Sequence, residues 1–132
     1  MNNKIPDWSE ALSVGHEKID SQHKMFLGLL RDFEATCAGE HDKQAIVGLL
    51  SEIMYFTKFH FLCEKNIMND IDYPLVGEHR NQHALLIEAL GHKIYQYKTG
   101  ECDSDELNDF ILDWFMKHTV EHDKKLVEFL AK

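Results

Sequence analysis

The chain has 132 residues, 44% of them hydrophobic, which is enough for one domain with a buried core. Its 14 Lys and Arg stand against 23 Asp and Glu, a net charge of −9, with nine histidines besides. That balance opposes nucleic acid and anionic membrane surfaces as partners and suits the holding of cations.

Cys37, Cys63 and Cys102 are odd in number and form no CxxC, so they read as free thiols in a reducing, cytoplasmic compartment. Residues 1–8 contain no apolar stretch of the signal-peptide kind, and no apolar run approaches membrane-spanning length. Four segments show helical periodicity and none shows sustained strand alternation.

Residues 1–19 read as an N-terminal arm, pinned to the rest by Trp8 and Val14. The first helix is predicted over about 20–37, capped by Asp20 or Ser21, with Ile19, His23, Phe26, Leu30 and Phe33 inward. Residues 38–41 read as its stop. The second is predicted over about 42–70, with Ile46, Leu49, Ile53, Phe56, His60, Glu64 and Ile67 inward. Tyr73-Pro74 marks the next turn, because proline biases the residue before it away from helix.

The third helix is predicted over about 75–97, with Val76, His79, His83, Leu86, Leu90, Ile94 and Tyr97 inward and Gly100 just past its end. The fourth starts at Ser104 as N-cap and runs almost to the C-terminus, with Leu107, Ile111, Trp114, His118, Leu126 and Phe129 inward. Short connections between amphipathic helices imply an all-α fold. The expectation is one domain over 1–132, with 20–132 an up-down-up-down antiparallel four-helix bundle.

The inner stripes carry groups that an apolar core does not need. His60 and Glu64 are at i, i+4 on the second helix, and His79 and His83 are at i, i+4 on the third. Side chains so spaced lie one above the other on a helix face and can grip a metal together. Chance alone gives roughly 0.6 HxxxH pairs in a chain with this many histidines, so one pair would prove little. Here His23 and His118 lie on the remaining two stripes, and burying so many ionisable groups together is untenable without compensation.

The set exceeds what one tetrahedral zinc takes, and its nitrogens are wrong for calcium or magnesium. Imidazole and carboxylate without thiolate suit iron or manganese, and two bridged ions fit the count. Cys63, off the stripe of His60 and Glu64, reads as packing. On the fourth helix the spacing is ambiguous. His122 is at i+4 from His118, whereas Asp123 is at i+5, about 140° round the helix. Spacing favours His122; a second bridging carboxylate favours Asp123, which a bent helix could bring in.

Taken in order, the Trp8 arm, residues 14–23 through His23, His60-Phe61-Leu62-Cys63-Glu64, Tyr73-Pro74, His79-x-x-x-His83 and Trp114-x-x-x-His118 with Asp123 resemble the bacterial hemerythrins over nearly the whole chain. The resemblance implies a four-helix bundle with a non-heme di-iron site, two iron ions bridged by hydroxide or oxide, that binds O2 reversibly. Carried over by position, His79, His83 and His118 would hold one iron, and His23 and His60 the other. Glu64 and Asp123 would bridge them, leaving His122 exposed or behind the ligands. The second iron would keep a vacant position for O2. Phe26, Leu27, Phe59, Trp114 and Thr119 are candidate walls of the O2 pocket, while Phe56 and Leu86 read as core.

The chain departs from the family pattern in two places. Lys65 follows Glu64 where relatives often carry a second glutamate, and little effect on the metals is expected. Thr119 follows His118 where relatives often carry isoleucine, and a hydroxyl facing the open iron would speed autoxidation. His16, His41 and His92 read as solvent-facing. The implied role is an oxygen carrier for storage, transport or delivery, monomeric and not an enzyme. The alternatives are a di-iron enzyme acting on peroxide or nitric oxide, and an O2 sensor read by a partner.

Overall fold

The computed structural model describes residues 5–39 and 42–131. Four helical rods follow a short 3₁₀ turn at Glu10–Leu12: α1 (Glu17–Ala38), α2 (Lys43–Asp70), α3 (Val76–Lys98) and α4 (Ser104–His118). The fourth rod continues as helical backbone through a π-helical stretch, Thr119–Asp123, into α5 (Lys124–Leu130). α1 packs on α2, α2 on α3, α3 on α4 and α4 back on α1, closing an up-down-up-down ring. Five-residue connections after α2 and α3 leave no room for anything but antiparallel neighbours.

The helix starts differ from the sequence expectation in a consistent way. α1 begins three residues earlier than expected, and His16 caps it: His16 Nδ1 accepts the Ile19 backbone N–H at 3.3 Å. Asp20, freed from capping, holds the arm instead. Its carboxylate accepts from Ser13 Oγ at 2.5 Å and from the Val14 N–H at 2.8 Å. The arm reaches His16 through Gly15, whose φ of +85° is costly for any residue with a Cβ. Asp42 caps α2 through the Ala45 N–H. For α4 the cap is Asp103, which accepts the Glu106 N–H at 2.8 Å, so the expected cap Ser104 lies inside the helix. Gly100, at φ +84°, terminates α3 as expected.

The buried face of α2 departs from the expected stripe at several positions. The helix buries Leu50, Thr57 and Met68, and leaves Leu49, Phe56 and Ile67 only half-buried. α2 is also long and apolar enough to cross a membrane by length and composition, contrary to the sequence reading. Its inner face is committed to the bundle, where it carries His60 and Glu64.

Two apolar clusters divide the interior. One spans Phe26, Leu30 and Phe33 of α1, Leu50 and Ile53 of α2, Leu90 of α3, and Leu107 and Ile111 of α4. The other gathers Val14, Ile19, Met68, Tyr73 and Leu126 at the opposite end. Each rod passes from one cluster to the other through a candidate metal residue: Ile19–His23–Phe26, Phe61–Glu64–Met68, Tyr73–His79–Leu90 and Phe115–His118–Leu126. Polar groups thus occupy one layer with dry packing on both sides. Trp8 and Val14 tie the arm to these clusters, and Lys24 lies over the Trp8 ring.

Candidate metal centre

His23, His60, Glu64, His79, His83, His118 and Asp123 converge in that layer, each less than a tenth exposed, and Glu64 and Asp123 fully buried. All five imidazoles turn Nε2 toward the two carboxylates. The contacts have a side. Glu64 Oε1 lies 2.9 Å from His83 Nε2, 3.4 Å from His79 Nε2 and 3.5 Å from His118 Nε2. Asp123 Oδ1 lies 3.0 Å from His118 Nε2 and 3.6 Å from His79 Nε2. The opposite oxygens face the other pair: Asp123 Oδ2 is 2.9 Å from His23 Nε2, and both Oδ2 and Glu64 Oε2 are 3.5 Å from His60 Nε2.

Each carboxylate therefore presents one oxygen to a three-histidine group and the other to a two-histidine group. Nitrogen and oxygen donors about 2.1 Å from one ion, at right angles, lie about 3 Å from each other. The observed separations bracket that edge. Hydrogen bonding accounts for only two of them, His23 Nε2 with Asp123 Oδ2 and His79 Nε2 with Glu64 Oε1. His60 Nε2, His83 Nε2, His118 Nε2, Glu64 Oε2 and Asp123 Oδ1 are buried without a hydrogen-bond partner among the described residues. Buried lone pairs aimed at a common centre are costly unless a cation receives them. The residues present therefore fit a metal.

The electrostatics agree. Burial and the neighbouring Asp123 push the Glu64 carboxyl up, but His60, His118 and His79 outweigh them and bring it down to about 2. Burial likewise opposes the charge on Asp123, yet His118, His23 and His60 hold it well below the usual carboxylate range. Both carboxylates are thus charged at neutral pH. Burial dominates at His83 and lowers it to about 4. At His118 burial is overcome by Asp123 and Glu64, which raise it to about 10. Without metal, the cluster shares protons unevenly among its imidazoles.

The π-helical stretch decides which of the two fourth-rod residues faces the cluster. A π turn holds more residues than an α turn, so it places residue i+5 over residue i. Asp123 comes to the inner face beneath His118, and His122 stands half-buried outside the cluster, its ring 5.4 Å from that of His118.

Sequence reasoning missed Gln22. It is buried, and its Oε1 accepts from His60 Nδ1 at 2.6 Å, which leaves the Nε2 lone pair of His60 facing the carboxylates. Its position beside His23 was the only available signal, because the partner lies 38 residues away. His16 is half-buried as a helix cap, whereas His92 is exposed and His41 lies outside the described residues. Cys63 is buried and free, and Lys65 is half-buried.

A cavity of about 10 Å³, room for one water-sized molecule, lies against the cluster. Phe26, Phe56, Phe61, Trp114 and Phe115 form its apolar wall, and His23, His60 and His118 its polar edge. Phe26 and Trp114 were expected there. Phe59 is not: it is 52% exposed, because it precedes His60 by one residue and so points about 100° away from it. Leu27 is buried but outside the lining, whereas Phe56, expected as plain core, contributes to it. The side chain of Thr119 lies outside the described residues.

A four-helix bundle with buried imidazoles sharing two carboxylates across its middle layer defines a class of helical metal-binding proteins. The Hemerythrin HHE cation binding domain matches residues 14–130, and the chain belongs to the hemerythrin family. It is similar to a bacteriohemerythrin of Stenotrophomonas maltophilia, with 28% identity over 112 residues covering 84% of this chain and 72% of that protein. It is also similar to one of Pseudomonas aeruginosa, with 26% identity over 121 residues covering 92% and 78%. The crystal structure of a wild-type hemerythrin superposes with a TM-score of 0.80 over 91% of this chain and 93% of that one. At 21% identity this speaks to the fold alone.

Proposed function

We propose that this protein binds O2 reversibly at two iron ions held by His23, His60, Glu64, His79, His83, His118 and Asp123, and serves in oxygen storage, transport or delivery. Iron(II) would supply the electrons that O2 needs in order to bind. The remaining work belongs to the chain.

The observation that carries this reading is the position of the cavity. It is lined by His23 and His60, the group with one imidazole fewer, and by only His118 of the other group. The less crowded half of the centre thus faces an aromatic-walled space with room for one small molecule. The aromatic wall excludes water that would compete there. Glu64 and Asp123 hold the two halves together through paired oxygens, and Gln22 fixes the orientation of His60.

The lining also favours a carrier over a catalyst. Beyond the histidines, Gln22 is engaged by His60 and Thr57 by the Ile53 carbonyl, to which its hydroxyl donates at 2.8 Å, while the Trp114 indole N–H has no hydrogen-bond partner among the described residues. None of the three is an acid that would protonate and release a reduced product. Three free thiols fit a reducing, cytoplasmic setting, and the working unit is taken as a monomer.

The test is anaerobic loading with iron(II), admission of O2, then an argon purge while the visible spectrum is recorded. A charge-transfer band that appears with O2 and disappears with argon is the expected result. A lasting oxidised spectrum would favour the enzymatic alternative, and failure to take up iron would overturn the reading.

A further inference from the structure

The candidate metal residues are sealed between two apolar clusters, so an ion must cross packed protein to reach them. The aromatic cavity is a poor route. A hydrated dication passing Phe26, Phe56, Phe61 and Trp114 would lose its water with nothing to replace it.

The His122 side of the three-histidine group is built differently. His122, half-buried, lines two clefts at once. In one it stands beside His79, with the exposed Glu78 at the rim. In the other, of about 310 Å³, it stands beside His118, with the exposed Glu121 at the rim. The His122 ring lies 5.9 Å from that of His79 and 5.4 Å from that of His118. His118 is buried, and its Nδ1 and Nε2 both lack a hydrogen-bond partner among the described residues. An imidazole thus stands one step outside His79 and the unsatisfied His118, with Glu78 and Glu121 one step further out, Lys125 beside the first and Lys117, paired with Asp113, beside the second.

We infer that His122 is a transit site for divalent metal: an ion drawn in by Glu78 and Glu121 exchanges water for His122 and is handed on to His79 and His118. The role follows from where the π turn leaves the residue. The extra residue in that turn gives the inner position to Asp123 and leaves His122 on the boundary between cluster and solvent. Metal loading and O2 access then use different openings onto the centre, which adjoin at Trp114 and His118. The inference rests on the reading of the cluster as a two-metal centre.

The test is the rate of cobalt(II) uptake by metal-free protein, followed by stopped-flow absorbance, with final metal content measured after dialysis. His122→Ala and the bulkier His122→Gln are compared with wild type, and circular dichroism checks that both stay folded. The expected result is an uptake rate lowered about tenfold with two ions still bound at the end. Glu78→Gln with Glu121→Gln should slow uptake and flatten its dependence on salt. An unchanged rate in both His122 variants would overturn the transit role. A lower final metal content would also overturn it, by making His122 a permanent donor. Wild-type protein that binds fewer than two ions would overturn the two-metal reading itself, before any variant is compared.

Discussion

His118 Nε2 lies 3.0 Å from Asp123 Oδ1, although the two residues are five apart on one helical rod. A regular α-helix would hold them about 140° apart. The π turn over Thr119–Asp123 closes that angle and brings the carboxylate to the layer where Glu64 and four other imidazoles meet. The turn sacrifices regular helical hydrogen bonding to place one group.

This relationship is testable by changing the register. One alanine inserted between Glu121 and His122 would turn Asp123 a further 100° or so out of the layer. Metal content after dialysis should fall from two ions per chain to one or none. Deleting Glu121 makes the spacing i, i+4, which a plain α-helix satisfies, so uptake should persist. An insertion variant that keeps its full metal content would show that the π turn is not what positions Asp123.

Gln22 provides a second test. Its removal in Gln22→Ala frees His60 Nδ1 and lets the ring change tautomer or tilt. Outer partners of this kind are worth roughly 10- to 100-fold in metal affinity. The loss should fall on the two-histidine half alone, so a chelator titration should show one weakened binding step and one unaffected step. Equal weakening of both steps would mean a general structural defect instead.

Metal removal should destabilise the fold, because buried Nε2 and carboxylate atoms are left aimed at each other without an ion. A ligand at 100 to 1,000 times its dissociation constant contributes about 3–4 kcal/mol. In a chain of this size that corresponds to a drop in melting temperature on the order of 10 °C on adding a strong chelator. An unchanged melting curve, with metal loss verified by analysis, would count against the cluster as a metal site.

Phe61 joins the stability of the bundle to the dryness of the cavity. Its ring stacks on His83 with centroids 3.8 Å apart and planes 3° from parallel, and its edge lines the cavity. Phe61→Ala should cost about 3–5 kcal/mol in urea unfolding. If the iron-loaded protein carries O2, the same variant should convert faster to a lasting oxidised spectrum, because water reaches the space that the ring vacates. A destabilised variant with an unchanged oxidation rate would separate the two roles.

The helices and most of the candidate site were legible in the chain because they depend on local geometry. His60 with Glu64 and His79 with His83 share a face in any α-helix, so spacing alone paired them. What went unread depended on rotation or on distant partners. The buried face of α2 departs from the expected stripe, with Thr57 and Leu50 inward and Phe56 and Leu49 only half-buried. His16 and Asp103 displaced the expected caps because a cap is set by where the preceding chain arrives, not by residue type alone.

By itself the sequence determined four amphipathic rods, their antiparallel order and a histidine-rich layer on their inner faces, since periodicity and short connections leave little choice. Only the tertiary structure decided that Asp123 rather than His122 joins that layer, that Gln22 orients His60, and which carboxylate oxygen faces which histidines. Those outcomes depend on the π turn and on contacts between residues as far as 100 positions apart, made once the rods have packed.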